Sequence, residues 1–206
     1  MSNPQWLLWA RQIQAIAQNG LTYTEGVFDR ERYTQLRALA QEIFATYTEM
    51  PADALSGIFG GEVGYATPKV DVRGAVFRDG KVLLVRERSD GLWTLPGGWV
   101  DVDDPPSRAV EREIREESGY RTRAVKLAAV WDRNLHGHPP HAFHIYKLAF
   151  VCELIDGTPT HSIETDAVDW FGPNELPPLS LTRVMPTQVA RLFEHARQPD
   201  LPADFD

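Results

Sequence analysis

Three glutamates near the middle of the chain have a spacing that suits a metal site. Glu113, Glu116 and Glu117 are spaced i, i+3 and i+4, so on a helix they lie within about 100° of one another. Each pair of like charges at this spacing costs about a few tenths of a kcal/mol. A divalent cation turns the repulsion into attraction. Mg²⁺ suits such a face because it prefers hard oxygen ligands and keeps waters or substrate phosphates in its shell.

The same helix also allows a simpler interpretation as a solvated charged surface. Glu111 with Arg115, and Arg112 with Glu116, are i, i+4 pairs that would stabilise an exposed face. The residues before the helix favour a site instead. Positions 96–98 read Pro-Gly-Gly and follow a short apolar strand, so a main-chain carbonyl there can approach a ligand closely.

The segment resembles the signature of the Nudix hydrolases, G-x5-E-x7-R-E-U-x-E-E-x-G-U, in which U is a bulky aliphatic residue. The pattern starts at Gly98 and ends at Tyr120, and its spacing is intact over 23 residues. Two positions depart from it, because Asp104 stands where the family has glutamate and Tyr120 replaces an aliphatic residue. The resemblance implies an α+β fold, an α/β/α sandwich with a mixed sheet between helices, in which the signature forms a loop, a helix and a loop.

The resemblance also implies roles for individual residues. The three helix glutamates would bind Mg²⁺ or Mn²⁺ as the cofactor, together with a backbone carbonyl of Gly97 or Gly98. Glu116 is expected to take part in catalysis as well as in metal binding. Arg112 would hold one of the glutamates by a salt bridge.

Asp104 allows two interpretations. It occupies the position of a family glutamate that braces the loop and can join the metal sphere through water, but its side chain is one methylene shorter. It also directly precedes Pro105, and Asp at the N-cap with Pro at N1 is a common helix start. The sequence favours the cap role, for a helix over residues 105–118 with Gly119 as its C-terminal cap.

A later acidic residue should complete the site, since the family usually adds one from another loop as ligand or base. Glu164 is the candidate because it lies six residues before Trp170, and Asp166 is the fallback. An exposed loop glutamate without a role is the alternative. In such a site metal ions neutralise the diphosphate oxygens and acidify a water, and a carboxylate removes the water proton. The expected products are a nucleoside monophosphate and a phosphorylated partner.

The resemblance extends beyond the signature. Residues 6–23 look like the helical N-terminal module of a Nudix subfamily that hydrolyses X-linked nucleoside diphosphates, and residues 132–140 and 176–180 also look typical of it. This subfamily includes CDP-choline pyrophosphatases and proteins described as ADP-ribose pyrophosphatases, so CDP-choline or a similar small X is favoured, with ADP-ribose next. A non-catalytic nucleotide sensor is the rival class. Only Asp104 supports that rival, because all three helix glutamates are present.

Arg133 and Trp93 are the candidate substrate contacts. Arg133 follows a predicted strand end and carries a fork of donors suited to phosphate, although an ion pair with Asp132 is an alternative. Trp93 can stack on a base, but a core aromatic is the expected role. Four histidines lie nearby, at His136, His138, His141 and His144. Their spacing is not that of a zinc site, so we expect a structural or substrate-loop role.

Composition limits the other classes. The net charge of −8 over 206 residues argues against a general nucleic-acid binder, which usually shows a basic footprint. The single cysteine, Cys152, excludes an intramolecular disulfide, and its apolar surroundings predict a buried thiol. The start lacks the basic region and cleavage pattern of a signal peptide, and no apolar run reaches membrane-spanning length. We therefore expect a soluble, cytoplasmic protein with no membrane partner.

The hydrophobic period divides the chain into two predicted domains, a helical module with a linker at 1–66 and a hydrolase domain at 67–206. In the module, one helix is predicted to end at Asn19-Gly20 and a second to run from about Asp29 to Thr48. The second helix is predicted to bury one stripe, formed by Leu36, Leu39, Ala40, Ile43, Phe44 and Tyr47. Two helices bury too little surface to be stable alone, so a homodimer through these helices is predicted. Residues 1–50 carry four arginines and five acids, which argues against the rival of a DNA-binding helix pair.

The second domain must position the chemical groups with strands. Asp79-Gly80 predicts a hairpin between strands at 72–77 and 81–85. Further strands are predicted at 93–95, 125–131, 143–154 and 168–171, with a last helix at 186–197 and a mobile tail at 200–206.

Overall fold

The structure, a computed structural model, describes residues 4–48 and 62–206. Its described residues form two compact units. The first takes the described residues of 4–68 together with Pro140–His144, and the second takes Lys69–Pro139 and Ile145–Asp206. The sequence had assigned 140–144 to the hydrolase domain. The structure places this loop in the helical unit, where the Arg11 side chain donates to the carbonyl of Ala142 at 3.2 Å.

The helical unit contains two long helices, α1 (Gln5–Tyr23) and α2 (Val27–Tyr47). The prediction that Asn19-Gly20 ends α1 is wrong, because the helix continues to Tyr23. A Cβ on Gly20 would lie 2.4 Å from the ring of Tyr33. The glycine therefore permits close packing of α1 on α2 and is not a cap.

The start of α2 also differs from the prediction. The helix begins at Val27, with Gly26 in the N-cap position. Asp29 lies inside the first turn, where its carboxylate accepts a hydrogen bond from Arg32 at 2.6 Å. An acidic residue in the first turn interacts favourably with the helix dipole, so Asp29 serves the helix start without capping it.

A mixed sheet forms the second unit. Its strands are β1 (Lys69–Arg78), β2 (Lys81–Glu87), β3 (Trp93–Thr94), β4 (Tyr120–Asp132), β5 (Ile145–Gly157), β6 (Thr165–Phe171) and β7 (Asp204–Phe205). The order is β3-β2-β1-β5-β4-β7, with β6 on the other edge of β2. The β1–β5 and β4–β7 pairs are parallel and the other strand pairs are antiparallel. Asp79 and Gly80 have φ values of 53° and 74°, which confirms the predicted hairpin.

Helices cover both faces of the sheet. Helix α3 (Pro106–Ser118) packs Val110 and Ile114 on the face that carries Val72 of β1. Helix α4 (Pro186–Arg197) packs Leu192 and Phe193 on the opposite face. The predicted sandwich of a mixed sheet between helices is therefore confirmed, and α4 has the predicted bounds.

The tail after α4 is ordered, and the prediction of a mobile segment is wrong. Asp204 and Phe205 pair with β4 as a parallel strand. The Asp204 carboxylate accepts from Arg191 at 2.6 Å, and Asp206 accepts from the backbone N–H of Asp132 at 2.6 Å. The contacts with β4 join residues far apart along the chain, so local composition gave no sign of them.

Candidate active site

The Pro-Gly-Gly segment at 96–98 lies against β1. The N–H of Val72 donates to the Gly98 carbonyl at 2.8 Å, and the N–H of Gly74 donates to the Pro96 carbonyl at 2.9 Å. Gly97 has φ 140°, and a Cβ there would lie 2.0 Å from the Val72 carbonyl oxygen. Only glycine fits that position. Because the Gly98 carbonyl is bonded to β1, the Gly97 carbonyl is the better candidate for a metal ligand.

Helix α3 starts one residue later than predicted, and the N-cap prediction for Asp104 is wrong. Pro105 occupies the N-cap position with ψ 136°, and no side chain caps the helix. The physical reason is the second proline, Pro106, which keeps the residue before it out of the helical region. The Asp104 carboxylate instead accepts from Nε of Arg112 at 3.2 Å.

Arg112 is the centre of a group of carboxylates. Its Nη1 donates to Glu113 at 2.9 Å and to Glu116 at 3.1 Å, while its Nε reaches Asp104. Burial lowers the pKa of Arg112, but the Glu113 charge and the Asp104 hydrogen bond outweigh this and raise it above its ordinary value. Arg112 therefore restrains glutamates that would otherwise repel each other.

The helix is not the uniformly solvated surface of the alternative interpretation. Of its two predicted i, i+4 ion pairs, the structure contains the one between Arg112 and Glu116. Glu111 accepts instead from the backbone N–H of Ala124 on β4 at 2.7 Å, a tie to the sheet that replaces the predicted pair with Arg115.

Glu117 is the buried member of the glutamate face. It is 4% exposed, and its carboxylate accepts from the N–H of Gly97 at 3.0 Å. Its main-chain carbonyl accepts from the hydroxyl of Thr165 at 2.7 Å. Burial raises the pKa of Glu117 to about 8, although Arg73 and the Gly97 hydrogen bond act in the opposite direction. Such a desolvated carboxylate gains strongly from a nearby cation.

Glu113 reaches the same glycine segment. A Cβ on Gly98 would lie 3.2 Å from one Glu113 carboxylate oxygen, so that oxygen lies almost against the Gly98 backbone. Burial raises the pKa of Glu113, while Arg112 lowers it. Glu116 is the exposed member, with 58% of its side chain accessible. The structure thus brings together the three helix glutamates, Arg112 and both glycines.

Sequence reasoning missed a buried charge network on β1 and β5. Asp71 accepts two hydrogen bonds from Arg73, at 3.1 and 2.7 Å, and it also binds the Lys147 ammonium. The parallel register places Asp71 directly opposite Lys147. Arg73 also donates to the carbonyl of Leu95, at the end of the strand that leads into the glycine segment. Asp71, Arg73 and Lys147 alternate with apolar residues, so they resembled the solvent face of a strand.

Glu87 is a second residue that the sequence did not reveal. It ends β2 and is 6% exposed, and its carboxylate lies 3.0 Å from Nε of Arg183. Backbone pairing places Glu87 opposite Thr165, the residue whose hydroxyl binds Glu117. In the sequence Glu87 stands between two arginines at a strand end, where a charged residue is ordinary.

The structure places Glu164 beside this network. Its carbonyl accepts from the N–H of Arg88 at 2.8 Å, and it directly precedes Thr165. Its side chain is exposed. Asp166, the fallback, forms an ion pair with Arg86 at 2.7 Å. Among the described residues, the Asp166 carboxylate is therefore held by a cation, whereas no ion pair holds that of Glu164.

The two predicted substrate contacts have other partners in the structure. Arg133 is 2% exposed, and its guanidinium donates to the carbonyls of Pro139 at 2.8 Å and Thr182 at 3.3 Å. In this conformation it is not accessible to a phosphate. Trp93 packs edge-to-face on Phe171 with ring centroids 4.8 Å apart, as a partly buried member of the core.

The donor set fits a hard divalent cation. The available atoms are carboxylate oxygens of the helix glutamates and the carbonyl of Gly97, all oxygen donors, and one carboxylate is desolvated. In the described parts of the chain, no three histidine, cysteine, aspartate or glutamate side chains converge as a complete ligand set. Arg112 contacts two of the three helix glutamates, so a metal would have to draw these carboxylates from the guanidinium.

Comparison with known proteins identifies the family. A family model described as the NUDIX domain matches residues 67–192, and one described as a UDP-X-like, N-terminal oligomerisation domain matches residues 4–59. The chain belongs to the Nudix family. The resemblance of the signature is thereby confirmed, and the protein is a hydrolase that acts on phosphoanhydride bonds. Nudix hydrolases generally need divalent cations.

Three relatives illustrate the similarity. The putative ADP-ribose pyrophosphatase YjhB of Bacillus subtilis (strain 168) is 46% identical over 202 residues, which cover 98% of this chain and 97% of the relative. The crystal structure of a UDP-X diphosphatase has a TM-score of 0.64 at 30% identity, and the match covers all of this chain and all of that one. An ADP-ribose pyrophosphatase from Streptococcus suis 89-1591 has a TM-score of 0.64 at 37% identity, covering 68% of this chain and all of that one. None of the helices in the described residues is long and apolar enough to cross a membrane.

Proposed function

We propose that this Nudix hydrolase is a Mg²⁺- or Mn²⁺-dependent pyrophosphohydrolase of nucleoside diphosphates linked to a small group X, with CDP-choline as the favoured substrate. The products are a nucleoside monophosphate and phospho-X. The observation that carries the proposal is the hydrogen bond from Gly97 N–H to the buried carboxylate of Glu117. It joins the glycine segment to the glutamate face and places a desolvated carboxyl group where a metal and a diphosphate are expected.

The protein's own residues have distinct tasks in this proposal. Glu113, Glu116 and Glu117 would hold the cation with the Gly97 carbonyl, and the cation would supply charge neutralisation and water activation. Arg112 restrains Glu113 and Glu116 before substrate arrives. The exposed carboxylate of Glu164 is the proposed base that removes the proton of the attacking water.

The identity of X separates two candidate substrates. The N-terminal module and the segments at 132–140 and 176–180 support a small X such as choline, through the subfamily resemblance. ADP-ribose is the second candidate, and the name of the 46% identical Bacillus subtilis relative supports it. The UDP-X name of a structural neighbour adds uridine nucleotides to the panel that must be tested.

The test is turnover on CDP-choline, ADP-ribose, UDP-sugars and dinucleoside polyphosphates, with Mg²⁺ or Mn²⁺. We expect the highest kcat/KM on CDP-choline, with CMP and phosphocholine as products. Glu117→Gln should abolish turnover while the protein stays folded, whereas Glu153→Gln, at an exposed position of β5, is the control and should keep it. No turnover on any member of the panel, with tight binding of one, would instead favour a non-catalytic nucleotide sensor.

We also propose a homodimer through the N-terminal helices. Several large apolar side chains on α1 and α2 are exposed in the single chain: Trp9 57%, Ile16 55%, Val27 78%, Phe28 75%, Leu39 45% and Tyr47 60%. Leu39 and Tyr47 belong to the stripe that the sequence predicted to be buried. Burial of such a surface in a second copy would supply the stability that two helices lack alone. Light scattering should give twice the chain mass of 23.2 kDa, and Phe28→Glu with Leu39→Glu should halve it.

A further inference from the structure

The ion pair of Glu87 and Arg183 lies beside the proposed metal ligands, although neither residue belongs to the signature. Glu87 is 6% exposed and lies 3.0 Å from Nε of Arg183. It pairs with Thr165 across β2 and β6, and the Thr165 hydroxyl binds the Glu117 carbonyl at 2.7 Å. One strand pairing and one hydrogen bond therefore connect the ion pair to Glu117.

Arg183 also holds two turns together. Its guanidinium lies 3.0 Å from the Asp90 carboxylate, and it donates to the hydroxyls of Ser89 at 3.1 Å and Ser180 at 3.0 Å. Ser89 and Asp90 belong to the turn between β2 and β3, whereas Ser180 precedes α4. The N–H of Ser180 donates to the Trp93 carbonyl at 2.8 Å. Strand β3 leads directly into the glycine segment, so these contacts fix the strand from which the segment starts.

The charge balance gives Arg183 a second effect. Arg73 is the cation that acts on Glu117, while Glu87 and Glu113 are anions acting on the same carboxylate. If Arg183 were neutral, the buried Glu87 carboxylate would add one uncompensated negative charge close to the place where an anionic diphosphate must bind. Removing one partner of a buried pair leaves the other charge uncompensated.

We propose that Arg183 is a positioning residue of the hydrolase site, which compensates Glu87 beside Glu117 and braces β3 behind the glycine segment. The proposal rests on the proposed metal-dependent function. It differs from a purely structural role in one respect: the charge of the pair, and not only its presence, should set the affinity of the site for a cation.

The experiment compares Arg183→Gln, Glu87→Gln and the double variant. Binding of Mn²⁺ is measured by electron paramagnetic resonance without substrate, and KM and kcat are measured on the best substrate of the panel. Arg183→Gln should bind Mn²⁺ about threefold to tenfold more tightly and raise KM for the diphosphate. Glu87→Gln should weaken Mn²⁺ binding by a similar factor. The double variant, again neutral in sum, should return to within about twofold of the wild type.

A matched surface pair provides the control. Arg123 and Glu153 lie 2.6 Å apart with 67% and 56% of their side chains exposed, so the same glutamine substitutions there should leave Mn²⁺ affinity unchanged. Equal Mn²⁺ affinity in all folded variants, or no return in the double variant, would overturn the proposal. If Arg183→Gln does not fold, Arg183→Lys replaces it: retained Mn²⁺ affinity with a raised KM supports the proposal, and an affinity change as large as that of Glu87→Gln overturns it. Absence of turnover by the wild type would count against the proposed function, while the Mn²⁺ titrations would still decide this inference.

Discussion

His138 should make the folded protein sensitive to mild acid. The ring is 6% exposed, and its Nδ1 lies 2.7 Å from the Leu181 carbonyl, a position in which the neutral ring donates. Burial lowers the pKa of His138 to about 4 from an ordinary 6.5, the Leu181 hydrogen bond opposes this, and the positive charges of Lys147 and Arg133 lower it further. Protonation of the folded state is therefore unfavourable.

The sign and size follow from proton linkage. Below pH 6.5 the His138 ring is protonated in the unfolded state but still neutral in the folded state. The free energy of unfolding therefore falls as the pH drops, and the loss is complete below about pH 4. With a folded pKa of about 4, the cost at pH 5 is about 2 kcal/mol and at full protonation about 3 kcal/mol. At pH 7 the cost is negligible.

His138→Asn tests the reasoning, because the asparagine amide can donate to the Leu181 carbonyl and does not titrate. Urea unfolding followed by tryptophan fluorescence at pH 7 and pH 5 gives the change in unfolding free energy for each variant. The wild type should lose about 2 kcal/mol more than His138→Asn between these pH values. His161→Gln, at an exposed position, controls for the loss of an imidazole. Identical losses in the wild type and His138→Asn would refute the argument.

Three further substitutions test the packing behind the site. Gly97→Ala should abolish activity, because its Cβ would lie 2.0 Å from the Val72 carbonyl; full release of nucleoside monophosphate by this variant, measured by chromatography, would contradict the close approach. Asp71→Asn should destabilise the fold by about 3–5 kcal/mol, because it removes the carboxylate that pairs Arg73 and Lys147, and an unchanged urea midpoint would show that the network is not desolvated. Gly74→Ala should cost about 1–3 kcal/mol, because its Cβ would lie 2.5 Å from Ile114. Gly80→Ala is the comparison, because its Cβ would meet no atom within 4 Å and any loss of stability there comes from the φ of 74° at Gly80. A thermal scan in which Gly74→Ala melts with the wild type would rule out the tight contact.

Much of the hydrolase unit was predictable because its signals are local. The Asp79-Gly80 turn, the helix that ends at Gly119 and the last helix at 186–197 each follow from a few adjacent residues. Local signals gave wrong helix caps where a residue type that is common at caps makes a tertiary contact instead. Gly20 resembled a helix cap and is a packing contact, and Asp104 resembled a cap but binds Arg112.

The sequence by itself determined the chemistry of the signature: the type and spacing of Glu113, Glu116 and Glu117, and the glycines before them. These lie close along the chain, so helix geometry alone brings them together. The helix periodicity also places Glu117 nearest the apolar side of the helix, which indicates a desolvated carboxylate. Only the tertiary structure decided which charges surround that carboxylate. Arg73, Glu87 and Arg183 reach Glu117 and its neighbours through strand pairing and side-chain contacts across long sequence separations. The tertiary structure likewise buried Arg133, because its carbonyl partners at Pro139 and Thr182 come from two different loops. A pattern of residue types carries no record of such partners, since each of these charged residues would be equally ordinary on a solvated surface.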